Sequence, residues 1–143
     1  MKKTFFTFLL FLFANNYLSA QKFDTKTYSD LVKANKEEFV TIAGAAGLKT
    51  DFDETSKVLF AGSKECLYSK PLSDTSNNEY YDLVLIVSTL DKTNNKLILK
   101  NAQENAEKKG TWTDSNYLYI EWDMENPQTK EMWHRVLIYK KKK

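Results

Sequence analysis

Residues 117–139, YLYIEWDMENPQTKEMWHRVLIY, constrain the fold more than any other stretch of the chain. They predict two strands around a turn, with apolar residues on both faces of the pair. A half-buried antiparallel sheet normally keeps its apolar residues on one face. We predict the register that sets Ile120 opposite Val136, because a shift that brought Arg135 opposite Ile120 would mix charge into the core face. The predicted core face also contains Trp122.

The second face of this hairpin carries large rings and a predicted charge pair between Glu121 and Arg135. Its members, called the aromatic band below, are Tyr117, Tyr119, Glu121, Trp133, Arg135 and Tyr139. Tyr, Trp and Arg anchor many protein interfaces, because they combine a large apolar area with a polar end. Two interpretations are open. The band is an exposed binding face, or a helix covers it and the rings are ordinary cross-strand pairs.

The first residues have the pattern of an export signal. Lys2 and Lys3 precede an apolar run, and a short polar segment ends at Ala20. The run is too short to cross a bilayer, which takes roughly twenty apolar residues. We therefore predict a signal peptide over residues 1–20 that is cleaved, and a single globular domain over residues 21–143. The protein is expected in the periplasm or outside the cell, without a membrane span.

Charge and cysteine content narrow the range of partners. Without Lys2 and Lys3 the basic residues number 19 and equal the acidic ones. Four of the positive charges form a run, Lys140 to Lys143, which is expected to be a frayed basic tail. A nucleic-acid-binding protein would carry its excess charge on a folded face, so nucleic acid is not an expected partner. Cys66 is the only cysteine, so the chain cannot form an intrachain disulfide.

The amino-terminal part of the predicted domain is helical. Apolar residues recur at helical spacing over residues 27–47, as one helix or as two helices broken near Asn35. Thr27 followed by Asp30 resembles a capping box at the start. Residues 49–57 form a polar stretch. It includes DFDET at residues 51–55, which begins like a calcium-binding loop but lacks the Gly and Glu that such a loop requires. These five residues are interpreted instead as a solvated linker.

Strands dominate the rest of the chain. VLFAG and CLYSK, from residue 58 to residue 70, predict a hairpin, and residues 69–79 predict an exposed loop. The apolar run within residues 80–90 predicts a long strand at the centre of the sheet. Residues 95–109 are predicted as a helix ending near Gly110. The alternative for that segment is a turn at residues 93–95 followed by a strand.

This order of elements predicts an α+β fold, in which an amino-terminal helix packs on a mostly antiparallel sheet of about five strands. A second helix precedes the carboxy-terminal hairpin. The arrangement resembles that of inhibitor and immunity proteins of cystatin-like shape, which is an analogy of architecture.

The residue types that support catalysis are few. Cys66 and His134 are the only thiol and the only imidazole, so a cysteine hydrolase would need both. Each is more commonly a structural residue. A zinc site draws three or four ligands from Cys, His and carboxylates, which this composition makes improbable. Glycine-rich phosphate loops and the G-x-S-x-G motif are absent from the sequence. No catalytic residue, metal or cofactor is therefore predicted.

The leading hypothesis is a small exported, non-enzymatic binding protein, with an inhibitor or immunity protein as its more specific form. Its partner would be another protein, and it would contact that partner through the aromatic band together with Trp112 and the loop at residues 69–79. The alternative is a small secreted hydrolase that uses Cys66 and His134.

Overall fold

The structure is a computed structural model that describes residues 23–73 and 78–143. The described residues divide into two compact units, which fall within Met1–Ser73 and Asp74–Lys143. The predicted α+β class is confirmed, but the described residues form eight strands rather than about five, together with three helices. The predicted signal peptide lies outside the described residues. Every helix within them is too short or too polar to cross a membrane.

The first unit begins with two helices, α1 (Thr25–Lys33) and α2 (Lys36–Ala45), so the two-helix alternative is confirmed. The break is at Asn35, whose side chain accepts a hydrogen bond from the Glu38 backbone N–H, while the Glu38 carboxylate accepts one from the Asn35 backbone N–H. This is a capping box. The box predicted at Thr27 is wrong, because Asp24 caps α1 and accepts a hydrogen bond from the Thr27 backbone N–H at 2.8 Å.

Three antiparallel strands complete the first unit, in the order β1 (Lys49–Asp53), β2 (Val58–Gly62) and β3 (Cys66–Pro71). The predicted hairpin of β2 and β3 is confirmed. The linker predicted over residues 51–55 is wrong for its first three residues, because β1 extends to Asp53, pairs with β2 and sets Phe52 opposite Leu59. The loop predicted over residues 69–79 begins too early, since β3 continues to Pro71. Helix α2 packs against β1 and β2.

The second unit contains five strands and one short helix. They are β4 (Tyr81–Thr89), α3 (Thr93–Ile98), β5 (Gln103–Glu104), β6 (Thr111–Thr113), β7 (Tyr117–Glu125) and β8 (Met132–Lys141). The antiparallel pairs give the order β4-β8-β7-β6-β5. The long strand predicted within residues 80–90 is confirmed as β4. Within this unit β8 lies between β4 and β7, and its residues Val136 and Ile138 are fully buried.

The helix predicted over residues 95–109 is wrong, because α3 ends at Ile98. The strand alternative for residues 96–100 is also wrong. Asn105 explains part of the error: its side chain accepts hydrogen bonds from the backbone N–H groups of Glu107 and Lys108 at 2.9 and 3.0 Å. Such local bonds compete with helical hydrogen bonding. In addition, β5 pairs with β6, which takes Gln103 and Glu104 into the sheet.

The carboxy-terminal hairpin is confirmed, but its predicted register is wrong by one residue. Ile120 faces Leu137, and Glu121 faces Val136. The turn sets this register. The Asn126 side chain accepts from the backbone N–H groups of Gln128 and Thr129 at 3.0 and 3.3 Å, and Lys130 adopts a left-handed conformation with φ of 62°. Glu125 therefore pairs with Met132 across the turn.

The frayed tail predicted for Lys140 to Lys143 is also wrong over most of its length. Lys140 and Lys141 belong to β8 and pair with Asp82 and Tyr81 of β4. The backbone N–H of Lys142 donates to the Tyr80 carbonyl at 2.8 Å. The backbone of Lys140 and Lys141 is thus fixed in a strand, and that of Lys142 is tied to Tyr80.

We expect Asn35→Ala to lower the free energy of unfolding by about 1 kcal/mol, because it removes the side-chain acceptor of the capping box. Asn35→Asp keeps an acceptor oxygen at the same place and should preserve most of the stability. Urea unfolding followed by circular dichroism measures both. Equal loss in the two variants would show that the cap does not stabilise α2.

Candidate functional site

The corrected register divides the aromatic band between the two faces of the β7–β8 hairpin. Tyr117, Tyr119 and Glu121 lie on one face, whereas Trp133, Arg135 and Tyr139 lie on the other. Three of these side chains are buried: Tyr119 is 5% exposed, Trp133 0% and Arg135 6%. The interpretation of the band as one exposed binding face is therefore wrong for these three residues. They cannot contact a partner unless the protein rearranges.

Tyr119 is held in place by Asp114 in the turn before β7. The Tyr119 hydroxyl donates to the Asp114 carboxylate at 2.6 Å. The same carboxylate accepts from the backbone N–H groups of Asn116 and Tyr117 at 2.7 and 2.8 Å. Burial alone would raise the pKa of Asp114, but these hydrogen bonds, with the charge of Lys141, outweigh it and hold the pKa below its usual value. The carboxylate of Asp114 is thus a structural acceptor.

Glu121 joins three elements of the second unit. One carboxylate oxygen accepts from the Trp112 indole N–H of β6 at 2.9 Å, and the other accepts from the Asn95 side-chain amide of α3 at 3.1 Å. Glu121 itself lies on β7. Asn95 is only 3% exposed, so this polar contact is partly enclosed by protein. The predicted partner of Glu121 was Arg135, and this prediction is wrong because the register places the two on opposite faces.

A cavity of about 600 Å³ opens beside the Trp112 and Glu121 pair, and it is called the Trp112 cavity below. Its lining residues are Lys92, Thr93, Asn95, Lys96, Leu99, Lys100, Ala102, Trp112 and Glu121. The apolar part of the lining comes from the Trp112 ring, Leu99 and Ala102. Three lysines spaced four residues apart add positive charge to the lining. Trp112 and Glu121, which were both predicted from sequence to contact a partner, therefore lie together in one cavity.

A second, more polar groove adjoins the Trp112 cavity. It has a volume of about 760 Å³, and Lys100 and Ala102 line both spaces. The groove extends past Gln103 and Thr113, which are paired across β5 and β6, and reaches Asp114. The two spaces together provide an apolar site next to a longer polar surface.

Asn95 and the three lysines of the Trp112 cavity were missed from the sequence. Asn95, Lys96 and Lys100 lie in the segment predicted as a long helix with a stripe of Ile98, Ala102 and Ala106, whereas Lys92 precedes that segment. The helix ends at Ile98 and the chain turns there, so that Leu99 and Ala102 line the cavity. The four-residue spacing of Lys92, Lys96 and Lys100 is visible in the sequence. It was the available signal for a positively charged surface.

The opposite face of the hairpin exposes Trp122, although the sequence placed that residue in the core. Trp122 is 51% exposed, and the Arg135 guanidinium lies 5.2 Å from the centre of its ring. Arg135 also contacts the Met124 sulfur at 3.5 Å. Burial lowers the pKa of Arg135. The Arg135 guanidinium thus contacts both the Trp122 ring and the Met124 sulfur, and part of the Trp122 ring remains exposed to solvent.

The hydrolase alternative requires Cys66 and His134, of which the first is buried and the second is paired with a carboxylate. Cys66 on β3 is 1% exposed, and burial raises the pKa of its thiol to about 12. A cysteine nucleophile needs the thiolate, which a raised pKa disfavours. His134 on β8 contacts the Asp123 carboxylate at 2.9 Å through Nδ1, and Lys92 lies 3.5 Å from the same carboxylate. Within residues 23–73 and 78–143, no cluster of three or more His, Cys, Asp or Glu side chains could hold a metal ion.

Comparison of the chain with known protein families, with curated proteins and with solved structures gives no match.

We expect Glu121→Ala to lower the free energy of unfolding by about 1–3 kcal/mol, because the buried Asn95 amide and the Trp112 indole lose their acceptor. Glu125→Ala on the same strand is the matched control. Its carboxylate is half exposed and pairs only loosely with Lys130 at 3.6 Å, so its loss should cost at most about 0.5 kcal/mol. Thermal or urea unfolding compares the two. Equal stability of both variants would contradict the proposed role of Glu121.

Asp114→Ala should make stability less dependent on pH. A carboxyl whose pKa is lower in the folded state stabilises the fold above its unfolded pKa, and that contribution is lost as pH falls through the folded pKa. At pH 7 the variant should be less stable than the wild-type protein by about 1–3 kcal/mol, since hydrogen bonds to a charged acceptor are lost.

Below the usual Asp pKa of 3.8 the difference should shrink as the wild-type carboxyl is protonated. Urea unfolding at pH 7 and at pH 2.5 measures the difference, with Ser115→Ala at the exposed neighbouring position as the control. A difference that is the same at both pH values would refute this assignment.

Proposed function

We propose that this protein is an exported, non-enzymatic binding protein that contacts a protein partner through the Trp112 cavity. One observation carries the proposal. An open cavity with an apolar lining lies beside a Trp whose indole N–H is already held by a carboxylate, so the ring is positioned before a partner arrives.

The size and lining of the cavity support this proposal. Ligand sites are commonly concave spaces of about 300–1,000 Å³ with apolar linings and a few polar groups. The Trp112 cavity is within that range and combines an apolar lining with lysines at several positions. The adjoining polar groove lengthens the surface, which favours a polypeptide segment over a compact small molecule. A Trp held in one orientation also loses little conformational entropy on binding.

The state of Cys66 favours a binding role over the hydrolase alternative. A thiol with a pKa of about 12 is almost entirely protonated at neutral pH. His134 also has a structural contact, since its Nδ1 faces Asp123. The export part of the proposal is supported by the pattern of residues 1–20. An inhibitor or immunity protein is the more specific form of the proposal, and it requires a partner that has an activity to block.

Affinity capture tests the proposal directly. Immobilised wild-type protein, Trp112→Ala, Ala102→Gln and Trp122→Ala are each exposed to a secretion extract of the source cells, and retained proteins are identified by mass spectrometry. Truncation of an anchoring Trp should weaken capture about 30-fold, which corresponds to about 2 kcal/mol.

Ala102→Gln narrows the cavity while leaving the Trp112 and Glu121 contact in place, so it should also reduce capture. Trp122→Ala removes an exposed ring from the opposite face and is the control that should capture normally. A partner retained equally by all four proteins would refute the proposed site. A partner lost only with Trp122→Ala would move the site to the other face of the hairpin.

A further inference from the structure

The lining of the Trp112 cavity carries positive charge that the chain neutralises only in part. Lys92 pairs with Asp123 at 3.5 Å. In the part of the chain that the structure describes, Lys96 and Lys100 have no carboxylate within ion-pair distance. Both side chains are exposed. Two cationic groups therefore remain available next to the apolar lining.

The acidic groups near these lysines are already engaged. Both Glu121 oxygens accept hydrogen bonds, from Trp112 and from Asn95. Asp114, in the adjoining groove, accepts from Tyr119 and from two backbone N–H groups. These carboxylates offset part of the local charge, but they are bonded to other protein groups. The free ends of Lys96 and Lys100 therefore favour carboxylates supplied by a partner.

We propose that the Trp112 cavity takes an apolar side chain from an extended acidic segment of a partner protein, and that Lys96 and Lys100 bind the carboxylates on either side of it. This inference rests on the proposed binding function and adds the chemistry of the partner. The shared lining at Lys100 and Ala102 lets such a segment continue from the cavity into the polar groove. Successive residues of an extended chain point to opposite sides, so when one apolar residue enters the cavity, the acidic residues two positions before and after it point to the same side and can contact the lysines.

The two kinds of contact contribute differently. An exposed lysine and carboxylate pair raises affinity only a few-fold and is screened by salt. Two such pairs should therefore provide about a tenfold preference for an acidic segment over a neutral one. The apolar side chain against Trp112 should provide the rest of the affinity, which salt weakens little.

The test uses three acetylated and amidated pentapeptides as probes. The first is Asp-Glu-Phe-Asp-Glu, the second replaces each acidic residue with its amide, and the third replaces Phe with Gly. Binding to the purified protein is followed by NMR through the Trp112 indole N–H signal. We expect the acidic Phe peptide to bind about tenfold more tightly than the amide peptide, and the Gly peptide to bind weakest or not at all. Sodium chloride at 0.5 M should remove most of the preference for acidic residues.

Variants locate the charge preference. Lys96→Gln combined with Lys100→Gln should bind the acidic and amide peptides equally. Lys108→Gln combined with Lys143→Gln removes two exposed lysines outside the cavity lining and should keep the preference. Equal binding of both Phe peptides to the wild-type protein would overturn the inference, as would a preference that survives the Lys96 and Lys100 changes.

The outcomes separate this inference from the proposed function. If both Phe peptides bind equally and shift the Trp112 signal, the binding site stands and the acidic partner is refuted. If no peptide binds but capture of a partner still depends on Trp112, the inference fails alone. Phosphatidylglycerol vesicles that bind through Lys96 and Lys100 while the peptides do not would also overturn it, and would assign the lysines to a membrane surface.

Discussion

The Glu121 carboxylate is the contact on which the candidate site depends. It accepts hydrogen bonds from Trp112 of β6 and from Asn95 of α3, while the Glu121 backbone is fixed in β7. Without it the Trp112 indole and a nearly buried amide would each lack a hydrogen-bond acceptor, which costs far more than an average surface contact. The short helix α3 is too small to be stable by itself. Its position beside the sheet therefore relies on such tertiary contacts.

The hairpin register decides which side chains can reach that contact. The turn after β7 is held by Asn126 and by the left-handed Lys130, and it sets Glu125 opposite Met132. Glu121 therefore points to the face on which α3 lies, while Arg135 points to the opposite face and stacks on Trp122. A shift of one residue would exchange these faces. The local chemistry of one turn thus positions the cavity, which lies several residues away.

The spacing of apolar residues and the residue types at turns made part of the fold predictable. The helical stripe, the break at Asn35, the hairpin of β2 and β3 and the long strand β4 are all visible as patterns in the sequence. The short strands β5 and β6 were not, because a strand of two or three residues carries no periodicity and depends on its partners for stability. The register of the carboxy-terminal hairpin was predicted from the apolar pattern alone. The turn held by Asn126 sets a register that differs from the predicted one by one residue.

The candidate site was predictable only in part, because its residues meet through tertiary structure. Trp112 and Glu121 were both expected to contact a partner as part of the surface formed by the aromatic band. They lie instead in the Trp112 cavity. Tyr119, Trp133 and Arg135 looked like interface residues because burial and recognition select the same residue types. Asn95 gave no signal, since its role comes from the position of α3.

Hydrogen exchange of the Trp indole N–H groups, followed by NMR at neutral pH, tests the central contact most directly. We expect the Trp112 indole N–H to exchange markedly more slowly than that of the half-exposed Trp122, because it is bonded to Glu121. Replacement of Glu121 by Ala should remove this protection. A Trp112 indole N–H that exchanges as fast as that of Trp122 in the wild-type protein would show that Glu121 does not hold the Trp112 ring.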